Sequence, residues 1–358
     1  MTTIVSGSQI TFNDNTTQNT SAYGGGFAFR NRIINGDMRI DQRNAGASTT
    51  PTNSSYGLDR WTFAVTQASK FTAQQNAGSV TPPTGFSNYL GITSSSAYSI
   101  TSGDIFYVKQ LIEGFNTADL AFGTANAQTV TLSFWVRSSL TGTFGGALQN
   151  SAENRSYPFS YTISSANAWE QKTLTITGDT SGTWIGSTNG IGISVIFGLG
   201  VGSTYTGTAN AWQGAQDFAP TGATSVVGTN GATFYITGVQ LEKNSTATSF
   251  DYRPYGTELA LCQRYYQVVG GANLSFYTEQ YISGNSIYLT GNGYFKVNMR
   301  SAPTVTLSGS YTTVNMTGSP VYIMNDNNFN AYWQGGASAG RALFHVNAGS
   351  TLNFTSEL

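Results

Sequence analysis

The chain has one cysteine and one histidine, and each shortage closes off a class of chemistry. Cys262 has no partner for an internal disulfide, so stability must rest on packing. Its place on the apolar side of a helical pattern marks it as a small buried hydrophobe rather than a reactive thiol. His345 cannot build a His/Cys zinc site, and it leaves almost nothing for a Ser-His or Cys-His nucleophile. Between Phe344 and Val346 it reads as the solvent face of a strand. Charge is also scarce: Asp, Glu, Lys and Arg make up 9% of the chain, where about 25% is usual. With a formal net charge of −1 and no basic stripe, the counterion release behind nucleic-acid affinity is missing, so no nucleic-acid partner is expected. No apolar run approaches the roughly 18 residues of a membrane span. The opening MTTIVSGSQI lacks the basic flank and apolar core of a signal peptide, so a soluble chain not exported by the usual route is expected. The GTFGG run at 142–146 lacks the lysine and following helix of a phosphate loop.

What is present is apolar and aromatic in abundance, 39% and 13% of the chain, with 42 glycines and many Ser, Thr and Asn. That composition suits hydroxyl-rich β structure with many tight turns. From 57 to 243 apolar residues alternate with polar ones every 10–20 residues. Trp61, Phe63 and Val65 share a face, as do Phe106 and Val108; Leu132, Phe134 and Val136; Tyr157, Phe159, Tyr161 and Ile163. Leu174 with Ile176, Ile191 with Ile193, Val195 and Phe197, and Phe234 with Ile236 continue the set. Pro82-Pro83, Gly145-Gly146, Gly178-Asp179 and Asn189-Gly190 punctuate it. The pattern predicts roughly eight to ten strands in a two-sheet, jelly-roll-like sandwich. Residues 198–231 break the alternation for longer than a plain connection needs and read as a surface excursion carrying Tyr205, Trp212 and Phe218. After 268 strand patterns return: Ile287 with Leu289; Phe295, Val297 and Met299; Val305 with Leu307; Val321 with Ile323; Phe344 with Val346. Tyr294, Lys296, Asn298 and Arg300 would take the opposite face of one half-buried strand.

Between these β regions, 232–267 turns from strand to the one convincing helical pattern. The apolar face switches parity between Ile236 and Val239, which a one-residue bulge at Gly238 explains. Asp251 to Tyr255 stays extended ahead of and around Pro254. Thr257 is the expected N-cap and Glu258 suits the first turn. Leu259, Leu261, Cys262, Tyr265 and Tyr266 share one face, with Gln263, Arg264 and Gln267 opposite.

This junction carries a resemblance. GVQLEKNSTATSFDYRPYGTELALCQRYYQ, 238–267, resembles the VQLE, F, RP, ELALCQRY junction of bacteriophage tail-fibre and related virion fibre proteins. NRIINGDMRIDQRNAG, 31–46, is similar to the segment that opens the same module. ITFNDNTTQNT, 10–20, resembles the F-x-D-G-T-x-Q-x-T segment near the start of phage fibres, with Asn15 where glycine is usual. TVTLSFWVRSSLTGTFGGALQN, 129–150, is similar to the central strands of carbohydrate-binding jelly rolls. The family resemblance implies a virion appendage, a homotrimer attached to other virion proteins.

Residues 1–28 fit such an attachment or oligomerisation arm. Ordering costs ~1–2 kcal/mol per residue, whereas its six larger apolar side chains return only ~1.5–3 kcal/mol each. The arm is therefore expected to need neighbouring copies or a docking partner. Four regions follow: the arm, a jelly-roll-like sandwich over 29–250, a linker helix over 251–267 and a smaller C-terminal β domain over 268–358. Eight charges crowd 29–60, namely Arg30, Arg32, Asp37, Arg39, Asp41, Arg43, Asp59 and Arg60. They read either as a partner or glycan site or, more simply, as a salt-bridged strand and turn.

For function, glycan binding suits the composition best, because sugar rings stack apolar C–H faces on exposed aromatics while amides and hydroxyls bond their oxygens. Aromatics in polar surroundings are the candidates: Trp184, Tyr205, Trp212, Tyr332 and Trp333. Trp135 and Trp169 lie in strand patterns and read as packing. No catalytic residue, metal or cofactor is assigned, since Asp179, Asp217 and Asp251 are isolated in sequence and no spacing singles out a carboxylate pair for glycoside hydrolysis. The expected role is host-surface glycan recognition by a virion fibre. The alternatives are a purely structural virion component and a polysaccharide depolymerase.

Overall fold

Alternation over 56–242 becomes eleven strands in two facing antiparallel sheets. The computed structural model describes residues 29–270, 293–314, 324–330 and 350–358 throughout. Elsewhere it describes the backbone of the strands in 1–28 and 271–349 and a few isolated residues. Residues 1–30 and 31–358 form two units. The first carries short strands β1 (Ile4–Ser6), β2 (Gln9–Thr11) and β3 (Thr17–Gln18) in one antiparallel ladder.

In the second unit the strands run β4 (Tyr56–Leu58), β5 (Trp61–Val65), β6 (Phe71–Gln75), β7 (Leu90–Ser94), β8 (Ile105–Glu113), β9 (Val130–Ser138) and β10 (Gly142–Gln149). Next come β11 (Ser156–Ile163), β12 (Glu170–Ile176), β13 (Ile191–Val201), two-residue β14 (Thr206–Gly207) and β15 (Ala219–Pro220), and β16 (Thr233–Glu242). One sheet has the order β11-β10-β13-β8-β5-β4 and the other β12-β9-β16-β7-β6. Successive strands cross repeatedly between the sheets, the connectivity of a jelly-roll-like sandwich. The inward faces are those the alternation marked: Trp61, Phe63, Phe106, Phe134, Phe159, Phe197 and Phe234 are at most 1% exposed. Phe134 of β9 meets Phe197 of β13 edge-on, ring centroids 5.1 Å apart, so the two sheets interdigitate at that point. Burying each such ring contributes ~1.5–3 kcal/mol.

The bulge lies where the parity switch put it. Along β16 the pairing passes from Thr237↔Trp135 to Gln240↔Ser133, one residue more than β9 supplies. Gly238 there has φ +61°, and a Cβ on it would lie 2.6 Å from the Phe86 ring. Only glycine fits. The backbone groups freed by the bulge are taken up by 31–36: Val239 N–H donates to Gly36 O at 2.9 Å, and Asn31 Nδ2 donates to Val239 O at 3.0 Å.

The helix, α1 (Tyr255–Gln263), starts two residues before the expected Thr257 cap. Pro254 occupies the cap with φ −52°, no side-chain bond caps the end, and Glu258 N–H donates to Pro254 O. Glu258 lies in the first turn, as expected, but its carboxylate is buried and accepts from Asn35 N–H and the Arg253 guanidinium. Cys262 and Tyr265 are fully buried against Ile34 and Ile40. Gln263 and Gln267, expected on the solvent side, are buried too. Gln267 is satisfied by Val297 O and Lys296 N–H, at 2.7 and 2.8 Å. For Gln267 the reason is that the helix ends at Gln263 and β17 (Tyr266–Gly270) begins, so a helical wheel no longer applies to it.

Six of the eight crowded charges of 29–60 form ion pairs. Arg32 meets Asp119 at 2.7 Å, Arg39 meets Asp37 at 2.8 Å, and Arg43 meets Glu357 at 2.8 Å. Arg60 also pairs with Glu357 and lies 3.5 Å above the Tyr265 ring. The salt-bridged reading accounts for these residues.

Beyond β17 the strands are β18 (Tyr277–Ile282), β19 (Tyr288–Tyr294), β20 (Thr304–Ser308), β21 (Tyr311–Val314), β22 (Met316–Met324), β23 (Asn328–Gly335), β24 (Gly340–Val346) and β25 (Thr351–Thr355). They form three three-stranded sheets, β17-β25-β20, β18-β24-β21 and β19-β23-β22. A small core of Phe295, Met299, Phe329, Leu352 and Phe354 lies among them. The alternation at Phe295, Val297 and Met299 is not a strand: β19 stops at Tyr294 and the chain loops across, with Met299 N–H donating to Asp326 O at 2.6 Å. Arg300 ties this region to the sandwich through Asn189 O at 3.0 Å and to the last residues through Ser356 O at 2.7 Å. His345 lies outside the residues whose side chains are described.

Candidate functional site

Strand β8 has two faces. Phe106, Val108 and Ile112 enter the core, which leaves Ile105, Tyr107, Lys109 and Leu111 on the outer face of the six-stranded sheet. Ala64 of β5, Ala147 of β10 and Ile196 of β13 extend this outer face. A sheet face this apolar needs a cover. The excursion supplies part of one: β13 runs to Val201, later than the expected break at 198, and the following chain returns over the sheet. Thr206↔Ala219 and Gly207↔Pro220 close its base as a short parallel ladder. Its rim is tied to β11 by Asn210 N–H to Pro158 O at 2.6 Å and by a reciprocal Ser156–Gln213 pair at 2.8 and 3.1 Å. Phe218 stacks on Tyr107 with centroids 4.9 Å apart, and Tyr205 packs on Phe218 at 5.4 Å.

Between this cover and the 53–56 turn lies a groove of about 280 Å³. That is near the lower edge of small-ligand sites, ~300–1,000 Å³. Its floor is Ala64, Tyr107, Lys109 and Leu111; Asn53, Ser54 and Tyr56 form one wall; Glu153, Tyr205 and Gln216 form the other. Tyr56, Lys109 and Tyr205 are half-buried, whereas Asn53 and Gln216 are exposed at the rim. Gln216 Nε2 donates to Glu153 across the second wall. Burial pushes the Tyr107 phenol up, with the Glu153 charge adding to it, so the phenol keeps its proton. Burial pulls the Lys109 ammonium down while Glu153 acts the other way. The groove therefore offers aromatic surface, two side-chain amides, a hydroxyl-rich rim, one cation and one acidic side chain.

Of the sequence candidates, Tyr205 lies in this groove. Trp184 and Trp212 are brought together elsewhere, at the end of the sandwich. Their rings meet edge-on with centroids 5.5 Å apart, and Phe122 touches both at 5.0 and 5.8 Å. Tyr157 packs on Trp212 at 5.1 Å. Both indole N–H groups are spent on backbone, Trp184 on Ser181 O at 3.1 Å and Trp212 on Thr177 O at 2.7 Å. The adjoining cleft holds about 40 Å³, the scale of one or two waters rather than a sugar ring. Tyr332 and Trp333 lie outside the residues whose side chains are described. Asp179 is held by Arg155 through two bonds of 2.7 Å, and burial pushes the Asp217 carboxyl up against the pull of Ser156.

Tyr56, Tyr107, Lys109, Glu153 and Gln216 were not picked out from the sequence. The signal for two of them was present, since Tyr107 and Lys109 alternate with the core residues Phe106 and Val108. What covers them comes from about a hundred residues later.

No protein-family model and no curated protein matches the chain. Among solved structures it is similar to the enzymatically active domain of bacteriophage CBA120 tailspike protein 4, at 15% identity and a TM-score of 0.32, over 59% of this chain and 21% of that one. It is also similar to a CBM4 structure, at 14% identity and a TM-score of 0.32, over 59% of this chain and 99% of that one. A third likeness is to the family 11 carbohydrate-binding module of a Clostridium thermocellum cellulosomal cellulase, at 11% identity and a TM-score of 0.27, over 56% and 98%.

Proposed function

We propose that this protein recognises glycan without cleaving it, and that it does so in the groove on the outer face of the six-stranded sheet. The observation that carries the reading is the composition of that groove: Tyr56 and Tyr205 half-exposed on opposite walls, with Asn53, Lys109, Glu153 and Gln216 between and beside them. Aromatic faces take the C–H side of a sugar ring and the polar groups take its hydroxyls. Glycoside hydrolysis requires two carboxyl groups flanking the bond, ~5–9.5 Å apart. Glu153 is the one acidic side chain lining this groove among the described residues, which supports binding over cleavage.

The setting we propose is a bacteriophage virion fibre, a homotrimer joined to other virion proteins through its arm. Two of the segments that carry the resemblance, 31–46 and 238–267, interlock through Asn31, Gly36, Val239 and Glu258, which supports treating them as one module. Labelling the protein on intact particles tests the setting: a position on tail or fibre agrees with it, and absence from particles refutes it. Light scattering tests assembly, where a folded monomer contradicts the trimer.

Glycan arrays test the binding function. Wild-type protein should retain a defined subset of glycans, and Tyr205→Ala and Gln216→Ala should each weaken retention by about tenfold. Retention equal in wild type and both variants would remove the groove from the account.

A further inference from the structure

Lys109 lies half-buried in the groove floor between Tyr107 and Leu111 of β8. Several cations of this unit held at similar or greater depth are ion-paired. Arg43 and Arg60 meet Glu357, Arg155 meets Asp179, Arg253 meets Glu258 and Arg264 meets Glu113. Lys109 forms no ion pair or hydrogen bond among the described residues. Its nearest interaction is with the Tyr107 ring, 5.5 Å from the ammonium to the centroid. The nearby acid, Glu153, is engaged by Gln216 on the wall. Glu153 attracts the ammonium without forming an ion pair with it, so the half-desolvated Lys109 lacks a directly bonded counter-charge, and an anion seated on it recovers part of the desolvation cost.

We infer that the groove selects glycans carrying an anionic substituent, a uronate carboxylate or a sulfate ester, which seats on the Lys109 ammonium while the neighbouring ring lies against Tyr205. This rests on the glycan-binding reading of the same groove. The chain's formal net charge of −1 supplies no general attraction for polyanions, so any preference for acidic sugars must arise locally.

The test compares wild type, Lys109→Met and Lys109→Arg against three size-matched oligosaccharide sets, neutral glucans, oligogalacturonates and sulfated glucans, by titration calorimetry. Thermal unfolding of each variant confirms folding. Wild type should bind one or both acidic sets at least about tenfold more tightly than the neutral set. The two acidic arms then say whether carboxylate or sulfate is the substituent. Lys109→Met should abolish the preference by weakening binding of the acidic set at least about tenfold more than that of neutral glucan, and Lys109→Arg should restore most of it. Equal affinity for neutral and acidic sets, or an acidic preference that survives Lys109→Met, overturns the inference and leaves the groove as a binder of neutral glycan. Binding to no set overturns both this inference and the reading it rests on.

Discussion

The side-chain amide of Asn31 donates to Val239 O at 3.0 Å across 208 positions of sequence, and its carbonyl oxygen accepts from Leu241 N–H at 3.1 Å. One side chain thus satisfies two backbone groups around the β16 bulge. Replacing Asn31 by Ala leaves those groups buried and unpaired, at a cost of about 1–3 kcal/mol. Urea denaturation should show the midpoint falling with an unchanged slope, and an unchanged midpoint would refute the role.

Glu357 stands between Arg43 and Arg60, and the Arg60 side chain is 2% exposed. Removing a carboxylate from so buried a cation costs about 3–5 kcal/mol. The Arg32–Asp119 pair, with Asp119 47% exposed, offers the contrast. Its loss should cost below about 1 kcal/mol. Chemical denaturation of Glu357→Ala and Asp119→Ala compares the two directly, and equal effects would contradict the assignment of depth.

Burial pushes the Asp59 carboxyl up to about 7, against the pull of Gln42 and Arg43. In the unfolded chain an aspartate titrates near ~3.9. The native state therefore holds the proton more tightly, so stability is greatest below that lower value and declines as pH rises toward 7. Asp104 works oppositely. Although burial pushes it up, hydrogen bonds from Thr101, Thr66 and Tyr98 outweigh that and hold it at about 2, so its contribution is lost as pH falls below ~4. Melting temperature should peak in mild acid. Asp59→Asn should flatten the decline between pH 5 and 7, a change on the order of 1–3 kcal/mol, and an unaltered decline would exonerate Asp59.

Trp212 is a packing residue by its contacts with Phe122, Tyr157 and Trp184. Trp212→Ala should lower stability by about 2–3 kcal/mol. In protein that remains folded, glycan retention should persist. Lost retention at full stability would make the Trp184–Trp212 end a binding site instead.

The legibility of this chain divides along the range of the interactions involved. Strand faces such as Trp61-Phe63 and Leu132-Phe134-Val136 could be read because alternation is local, and the Gly238 bulge because it breaks that alternation. The helix start was misplaced because Thr257 has the chemistry of a cap, while Pro254 has the backbone for one and Glu258 is claimed by Asn35 from far upstream. Trp212 looked exposed among Gln, Gly and Ala, yet its indole reaches Thr177, 35 positions away. The groove escaped for the same reason: Tyr107 and Lys109 face outward by parity, but only the fold lays Tyr205 and Phe218 beside them.

The most direct measurement is a crystal structure of the protein with an oligosaccharide selected from the array. The account predicts a sugar ring against Tyr205, with polar contacts to Gln216 and Lys109. Sugar density at the Trp184–Trp212 end of the sandwich, with the groove left empty, would contradict it.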